Sequence, residues 1–209
     1  MEINKEELKN ETKETINQVK DTIKNVDINK EAKETKGFVQ EMIVSPFERV
    51  EKIAKGEEDA FKKAIVLLII DIAASLIVAL ISAFKYSYGS IGGKLWDLIT
   101  AGISPIVAIL VPAILILIIN KANKKSLTTV SATLVVASLP SIVASVIDVI
   151  ESLLPRIYLI SSPISTALYA MTTVLTFFGM RTLFGEEKEG FLFKFAGIKF
   201  ITALVLYII

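Results

Sequence analysis

Long apolar stretches alternate with short polar ones over residues 61–209 of this chain. A helix needs about 20 mostly apolar residues to cross the hydrocarbon core of a bilayer. The pattern predicts five such helices, at residues 61–84, 98–119, 127–150, 157–180 and 191–209. A soluble helical core is the alternative, but buried helices seldom reach this length five times in one chain. The sequence therefore predicts an all-α, polytopic membrane helix bundle.

The N-terminal third is highly charged. Residues 1–63 hold 28 of the 45 charged side chains, which marks a composition boundary. We divide the chain into a charged cytoplasmic helical arm (1–40), an interfacial amphipathic helix (41–60) and a five-helix transmembrane domain (61–209). One narrow apolar stripe in the arm indicates either a solvated helix without a binding role or a short coiled-coil or membrane-surface contact. Its members are Ile16, Val19, Ile23 and Val26.

The segment before the first span carries the signals of a short amphipathic helix. Ser45 is a plausible N-cap, Pro46 suits the first helical position, and Glu48 would complete a capping box. Gly56 is a natural stop. We expect the helix to lie in the membrane interface, or alternatively to pack only against the ends of the spans. The predicted apolar face consists of Phe47, Val50, Ile53 and Ala54.

Lys and Arg residues near the span ends predict the orientation, because cytoplasmic loops carry an excess of them. With the N-terminus in the cytoplasm, eleven lie on the inner side and three on the outer side. We therefore expect a multi-pass protein of the cell membrane whose C-terminus lies outside. The first residues lack the apolar core of a signal peptide, so the first span would itself direct insertion.

Two charged residues fall well inside predicted spans, away from the span ends. Asp71 and Lys199 each lie about 12 Å along a helix from the expected cytoplasmic boundary, at 1.5 Å per residue. Charges in lipid need a partner or a wet cavity, so we predict that the two face each other between the first and fifth spans. The alternative is that Asp71 is protonated or hydrogen-bonded to a neighbouring span, while Lys199 extends alone toward the interface.

Prolines and small residues indicate how the spans are shaped and packed. Pro105, Pro112 and Pro140 are expected to kink their helices, either opening a polar cleft or merely shaping the bundle. Small residues at four-residue spacing let helix backbones approach closely, so two rows are predicted to be packing faces. The rows are Ser75, Ala79 and Ala83 in the first span, and Ala137, Ser141 and Ser145 in the third.

Composition excludes several kinds of chemistry. The chain has no His and no Cys, which removes imidazole and thiolate metal sites and the usual nucleophile–base relays. The net charge of +1 argues against nucleic-acid binding. We therefore expect no catalytic residues, no cofactor and no metal site. The expected partners are the lipid bilayer and either a second copy of the chain or other membrane proteins.

Two short motifs resemble the Yip family of five-span membrane proteins, in its prokaryotic branch. They are Val44-Ser45-Pro46-Phe47-Glu48 before the first span and Ala137-Ser138-Leu139-Pro140 in the third. The resemblance covers roughly residues 40–209 and implies a non-enzymatic scaffold or membrane-organising protein. Family members in eukaryotes act with small GTPases, but no GTPase-contact residue can be assigned in this chain. The alternative is a small transporter or channel subunit that uses Asp71, Lys199 and proline-broken helices.

Overall fold

The computed structural model describes residues 28–85, 90–119, 125–185 and 190–209. These residues form helices joined by short turns, with no strand among them. The apolar stripe of the predicted arm (Ile16, Val19, Ile23 and Val26) lies outside the described residues. The helices are α1 (Ile28–Val44), α2 (Pro46–Lys55), α3 (Phe61–Lys85), α4 (Ile91–Ile119), α5 (Leu127–Ala137), α6 (Leu139–Leu153), the short 3₁₀ turn Pro155–Ile157, α7 (Tyr158–Phe184) and α8 (Phe191–Ile208).

The fold class predicted from the apolar pattern is confirmed. Helices α3, α4, α7 and α8 are each long and apolar enough to cross a membrane. Helices α5 and α6 reach that length only together, and they meet at a bend of 51°. The described chain is thus an all-α bundle with four candidate spans, or five if the bent pair counts as one. The predicted third span is in fact two helices.

The break between α5 and α6 follows from local sequence. Ser138 ends α5, and Pro140 stands in the first turn of α6, where a missing backbone donor costs nothing. The kink predicted at Pro140 is therefore a complete interruption of the helix. Pro105 and Pro112, by contrast, are buried within α4, which continues through both. A further proline, Pro163, lies inside α7 and was not singled out in the sequence.

The buried core is concentrated at one end of the bundle. We call the half that contains α1, α2 and α5 the α2 half, and the other the α6 half. Lys125 Nζ donates to the carbonyl of Lys55 (2.8 Å) in the first, and Lys85 Nζ to that of Ser152 (2.7 Å) in the second. Within the described residues, α3 beyond Ala74, α4 before residue 105 and α7 before residue 175 contain no buried apolar side chain. In the α6 half, hydrogen bonds between polar side chains connect the helices.

Helix α5 is the centre of the α2 half. Apart from two leucines, its residues are small or β-branched, and all those from Ala132 to Ala137 are buried. Helices α2, α3, α4 and α7 all pack against it. Such close packing on every side requires three long spans, the bent pair and the short pre-membrane helix α2 to assemble around one another.

Candidate functional site

A polar seam runs along α6 where it packs against α3 and α7. Ser145 on α6 donates a hydrogen bond to Asp71 Oδ1 on α3 (2.8 Å). Three residues further along α6, Asp148 Oδ2 accepts from the hydroxyl of Tyr169 on α7 (3.2 Å). Near the end of α6, Glu151 Oε2 accepts from Ser161 (2.6 Å). Each carboxyl group of this α6 seam is therefore bound to a hydroxyl group from another helix or turn of the chain.

No described basic side chain neutralises the α6 seam. Asp71, Asp148 and Glu151 form no ion pair with any residue of the described ranges, although Arg156 follows only a few residues after Glu151. The side chain of Arg156 is exposed. The seam is thus a row of acids held by neutral donors.

Several hydroxyls of α7 continue the seam toward the α2 half. Ser165 is 7% exposed, and its hydroxyl has no hydrogen-bond partner in the described chain. The Oγ1 atoms of Thr172 and Thr176 are likewise buried and unpartnered among the described residues. Ser161, Ser165, Thr172 and Thr176 share one face of α7, over about 22 Å at the rise of an α-helix.

The structure does not bring Asp71 and Lys199 together. Asp71 bonds to Ser145, as the alternative interpretation had it, and Lys199 Nζ lies 5.9 Å from the centre of the Phe195 ring. The physical reason is helix placement, since α8 packs mainly on α4 and only slightly on α7, while α3 packs on α4, α5 and α6. The predicted pair is corrected to two separate sites. Equal depth along two spans does not make those spans neighbours.

Both predicted small-residue rows lie on helices that pack against each other. Ser75, Ala79 and Ala83 are partly buried, and Ala137 is fully buried. Ser141 donates back to the carbonyl of Ser138 (2.7 Å) within α6. Ser145 of the second row carries the hydrogen bond to Asp71, so this row supplies a polar contact as well as a close approach. At Gly179 on α7, side chains of two other helices pack closely against the backbone. The sequence did not predict this contact.

Helix α2 forms where the sequence predicts it. Pro46 lies in its first turn, and Gly56 ends it at φ +81°, where glycine is favoured over residues with a Cβ atom. Ser45 occupies the N-cap position, as predicted, but its side chain makes no capping hydrogen bond. Instead, the Ser45 amide donates to the carbonyl of Glu41 (2.9 Å), so that α1 runs directly into α2.

The apolar face of α2 packs against protein. Val50, Ile53 and Ala54 are almost completely buried, against α5 and α7. The ring of Phe47 meets that of Phe178 edge-on, at 5.3 Å between centres, and remains 46% exposed. From Val50 onward, the apolar face of α2 therefore packs against the ends of the spans, as the alternative interpretation predicted. Only the N-terminal end of the helix is open.

The charged face of α2 is tied to its flanking segments. Arg49 bonds to Glu41 at the end of α1 and to Glu58 beyond α2 (2.7 Å to the latter). Lys52 bonds to Glu48 one turn earlier (2.6 Å). The hydrogen bond and positive charge of Lys52 lower the pKa of Glu48. The Glu58 carboxylate, to which Arg49 is hydrogen-bonded, raises the pKa of Arg49. These pairs hold α1, α2 and the following turn in one arrangement.

Three exposed apolar side chains mark the corner where α1 meets α2. Ile43, Val44 and Phe47 are 72%, 81% and 46% exposed, whereas Met42 beside them is buried. Phe178, which Phe47 touches, lies six residues before the end of α7, or about 9 Å along the helix. We call these three residues the α1–α2 corner. It adjoins the apolar surface of a candidate span.

Other kinds of site find little support among the described residues. No group of three or more acidic residues there is placed to hold a metal ion. A cleft of about 480 Å³ opens between the turn after α2 and the start of α5, with Glu58, Lys62 and Thr129 in its lining. Its lining is mixed in charge and shows no set of convergent donors.

No known protein family, no curated protein and no solved structure matches this chain.

Proposed function

We propose that this protein is a non-enzymatic integral membrane protein of Yip type, whose role is to organise the membrane itself. The observation that carries the proposal is the unequal packing of the two halves. The α2 half contains the short helices α1 and α2 in addition to the candidate spans, and the buried apolar core lies mostly there. A helix with its side chains is about 10 Å across, so each added helix widens the body appreciably.

A body that is wider in one half fits best in a bilayer curved so that this half lies in the expanded leaflet. The α1–α2 corner supports this use of the shape. Phe47 of this corner contacts Phe178, about 9 Å along α7 from its C-terminal end, a depth typical of interfacial helices. The charged face of α2 would remain among the headgroups. The Lys and Arg distribution supports a cytoplasmic location for this half.

The transporter alternative receives less support. It was based on Asp71 and Lys199 acting together, and these residues lie on helices that do not pack closely. It was also based on proline-broken helices; the predicted third span is broken at Pro140, but α4 is continuous through both of its prolines. The scaffold role needs neither feature, so it is the function that the geometry favours.

The experiment is curvature sorting of the full chain, labelled and reconstituted in giant vesicles from which narrow membrane tubes are drawn. Molecules whose α2 half faces the outside of the tube should be enriched there relative to the vesicle. Molecules of the opposite orientation should be depleted. A quencher added outside reports the orientation. Equal partition of both orientations would refute the proposal.

A matched pair of variants isolates the α1–α2 corner. Val44→Ser with Phe47→Ser should reduce the enrichment, because polar side chains no longer occupy the leaflet. The control is Ile91→Ser with Phe84→Ser, in the α6 half, where Ile91 and Phe84 are 81% and 85% exposed. The control should not reduce enrichment in the same way. If both pairs reduce it equally, the corner has no special part in the effect.

A further inference from the structure

Lys199 places a positive charge on the outer surface of a candidate span. Helix α8 packs mainly on α4, and its buried residues include Ile198 and Thr202, whereas Lys199 is exposed. Lys199 forms no ion pair with an acid of the described ranges. A charge that faces lipid is costly, and such residues pair with an opposite charge or extend to the interface.

The position of Lys199 along α8 keeps its ammonium group away from the lipid headgroups. The helix has 18 residues, or about 27 Å, which nearly matches a hydrocarbon core of about 30 Å. Lys199 lies about 12 Å from the start of α8 and about 14 Å from its end. Its Nζ atom is 5.9 Å from the centre of the Phe195 ring, and Phe195 is itself about 6 Å inside the helix start. The charge therefore remains within the hydrocarbon layer.

We infer that the surface around Lys199 binds another transmembrane helix, one that carries an Asp or Glu side chain near its midpoint. A carboxylate at the depth of Lys199 would neutralise it by a charge-assisted hydrogen bond inside the hydrocarbon layer. The exposed charge thus sets the chemistry of the partner. We call the surface the α8 face, and it consists of Leu192, Ala196, Lys199, Ala203 and Leu206.

The spacing of the α8 face fits a helical partner. Its members recur at intervals of four, three, four and three residues, which is the pattern of a seam between two helices that cross at a small angle. Leu206 is half-buried, and the other four are exposed. Ala196 and Ala203 lie one turn before and one turn after Lys199. Small side chains at these positions let two helix backbones approach closely, so a partner carboxylate could reach the ammonium group.

A second copy of the chain is a poor occupant of the α8 face. A two-fold dimer uses the same surface of both copies. Because Lys199 lies near the midpoint of α8, both parallel and antiparallel pairing of two α8 helices would bring the two ammonium groups together, and like charges repel strongly in lipid. Asp71 of another copy is already hydrogen-bonded to Ser145 and half-buried. The expected partner is therefore a different membrane protein.

Energy transfer between the labelled full chain and a labelled transmembrane peptide tests the inference. Both are reconstituted in phosphatidylcholine vesicles. The probe is a helical peptide of leucine and alanine with one Glu at its midpoint, and the matched peptide carries Gln there. The Glu peptide should associate about tenfold more strongly than the Gln peptide, as expected for one added polar contact between helices in lipid.

Exchanging the charges connects the association with Lys199. Lys199→Gln should remove the preference for the Glu peptide, because the positive charge is lost. Lys199→Glu should reverse the preference, so that a peptide with Lys at its midpoint associates more strongly than the Gln peptide. Association that is restored by exchanged charges cannot result from misfolding. Lys194→Gln, in the first turn of α8, is the control and should keep the preference for the Glu peptide.

A second pair of variants tests the role of the small residues. Ala203→Leu adds bulk within the α8 face and should weaken association of the Glu peptide. Gly197→Leu is the control, because Gly197 lies two residues from Lys199 and therefore on the opposite side of the helix. A Cβ atom at Gly197 meets nothing within 4 Å, so this variant should bind the Glu peptide like the parent.

Four results would overturn the inference. The first is equal association of the Glu and Gln peptides with the parent chain, and the second is a preference for the Glu peptide that persists in Lys199→Glu. The third is energy transfer between two labelled copies of the chain that requires Lys199, which would assign the α8 face to a second copy. The fourth is loss of the preference when phosphatidylglycerol replaces part of the phosphatidylcholine, which would assign Lys199 to an anionic headgroup.

Discussion

Gly179 is the position where the bundle should tolerate added volume least. A Cβ atom built there lies 3.0 Å from Cγ1 of Val50 and 3.1 Å from Cγ2 of Thr133. Both neighbours are fully buried, and Thr133 Oγ1 is held by the carbonyl of Thr129 (2.7 Å), which fixes the direction of its methyl group. Two β-branched side chains on two other helices must therefore move together. We expect Gly179→Ala to be destabilising.

The magnitude comes from two opposing effects. Replacing glycine by alanine inside a helix favours the helix by about 1 kcal/mol. Overpacking a well-filled core costs about 1–3 kcal/mol. The expected net loss is about 1 kcal/mol, or about 2–4 °C in melting temperature for a chain of this size.

Gly197→Ala provides the matched control. Gly197 lies inside α8, and a Cβ atom there meets nothing within 4 Å. That variant should be as stable as the parent or slightly more so, because only the helix preference changes. Unfolding in detergent, followed by circular dichroism, measures both variants. The explanation fails if Gly179→Ala is no less stable than Gly197→Ala. Adding Val50→Ala to Gly179→Ala should cost less than the sum of the two single changes, since the clash is then relieved.

Three further predictions concern single contacts. Ser145→Ala should lower the free energy of unfolding by about 1 kcal/mol through loss of the Asp71 hydrogen bond, whereas Ser141→Ala, which loses only a bond within α6, should cost less in the same assay. Gly56→Ala should cost about 1–2 kcal/mol because a Cβ atom is strained at φ +81°, and reduced protease resistance of the turn after α2 would report it; unchanged resistance and stability would count against this reason. The Lys52 contact lowers the pKa of Glu48, so its small stabilising effect should be complete above the ordinary value of 4.5 and be lost as pH falls below it. Comparing melting curves of the parent and Glu48→Gln across that range checks the sign, and a difference that grows on acidification would contradict it.

The apolar pattern was sufficient to predict the fold class because each long span must satisfy its own backbone hydrogen bonds in lipid. It did not predict the division of the third span, because the kink expected from Pro140 and a complete break there have the same local signature. The Asp71–Lys199 prediction was wrong because a sequence gives depth along a helix but not which helices are neighbours. Ser145, Asp148 and Glu151 recur at every third residue, a spacing that could have identified a polar face of α6. The partner of each acid still depends on how the helices are rotated.

Helix α2 has a consequence for the order of assembly. It leaves the ribosome before α5 and α7, the two helices against which its apolar face is buried. Val50 and Ile53 therefore have no docking place until most of the chain has been synthesised. During that interval the newly made segment must rest on the bilayer surface or on a chaperone, with its apolar face covered by either. Final closure of the bundle is thus a late event of biogenesis, and changes in α2 should affect maturation rather than insertion of the first span.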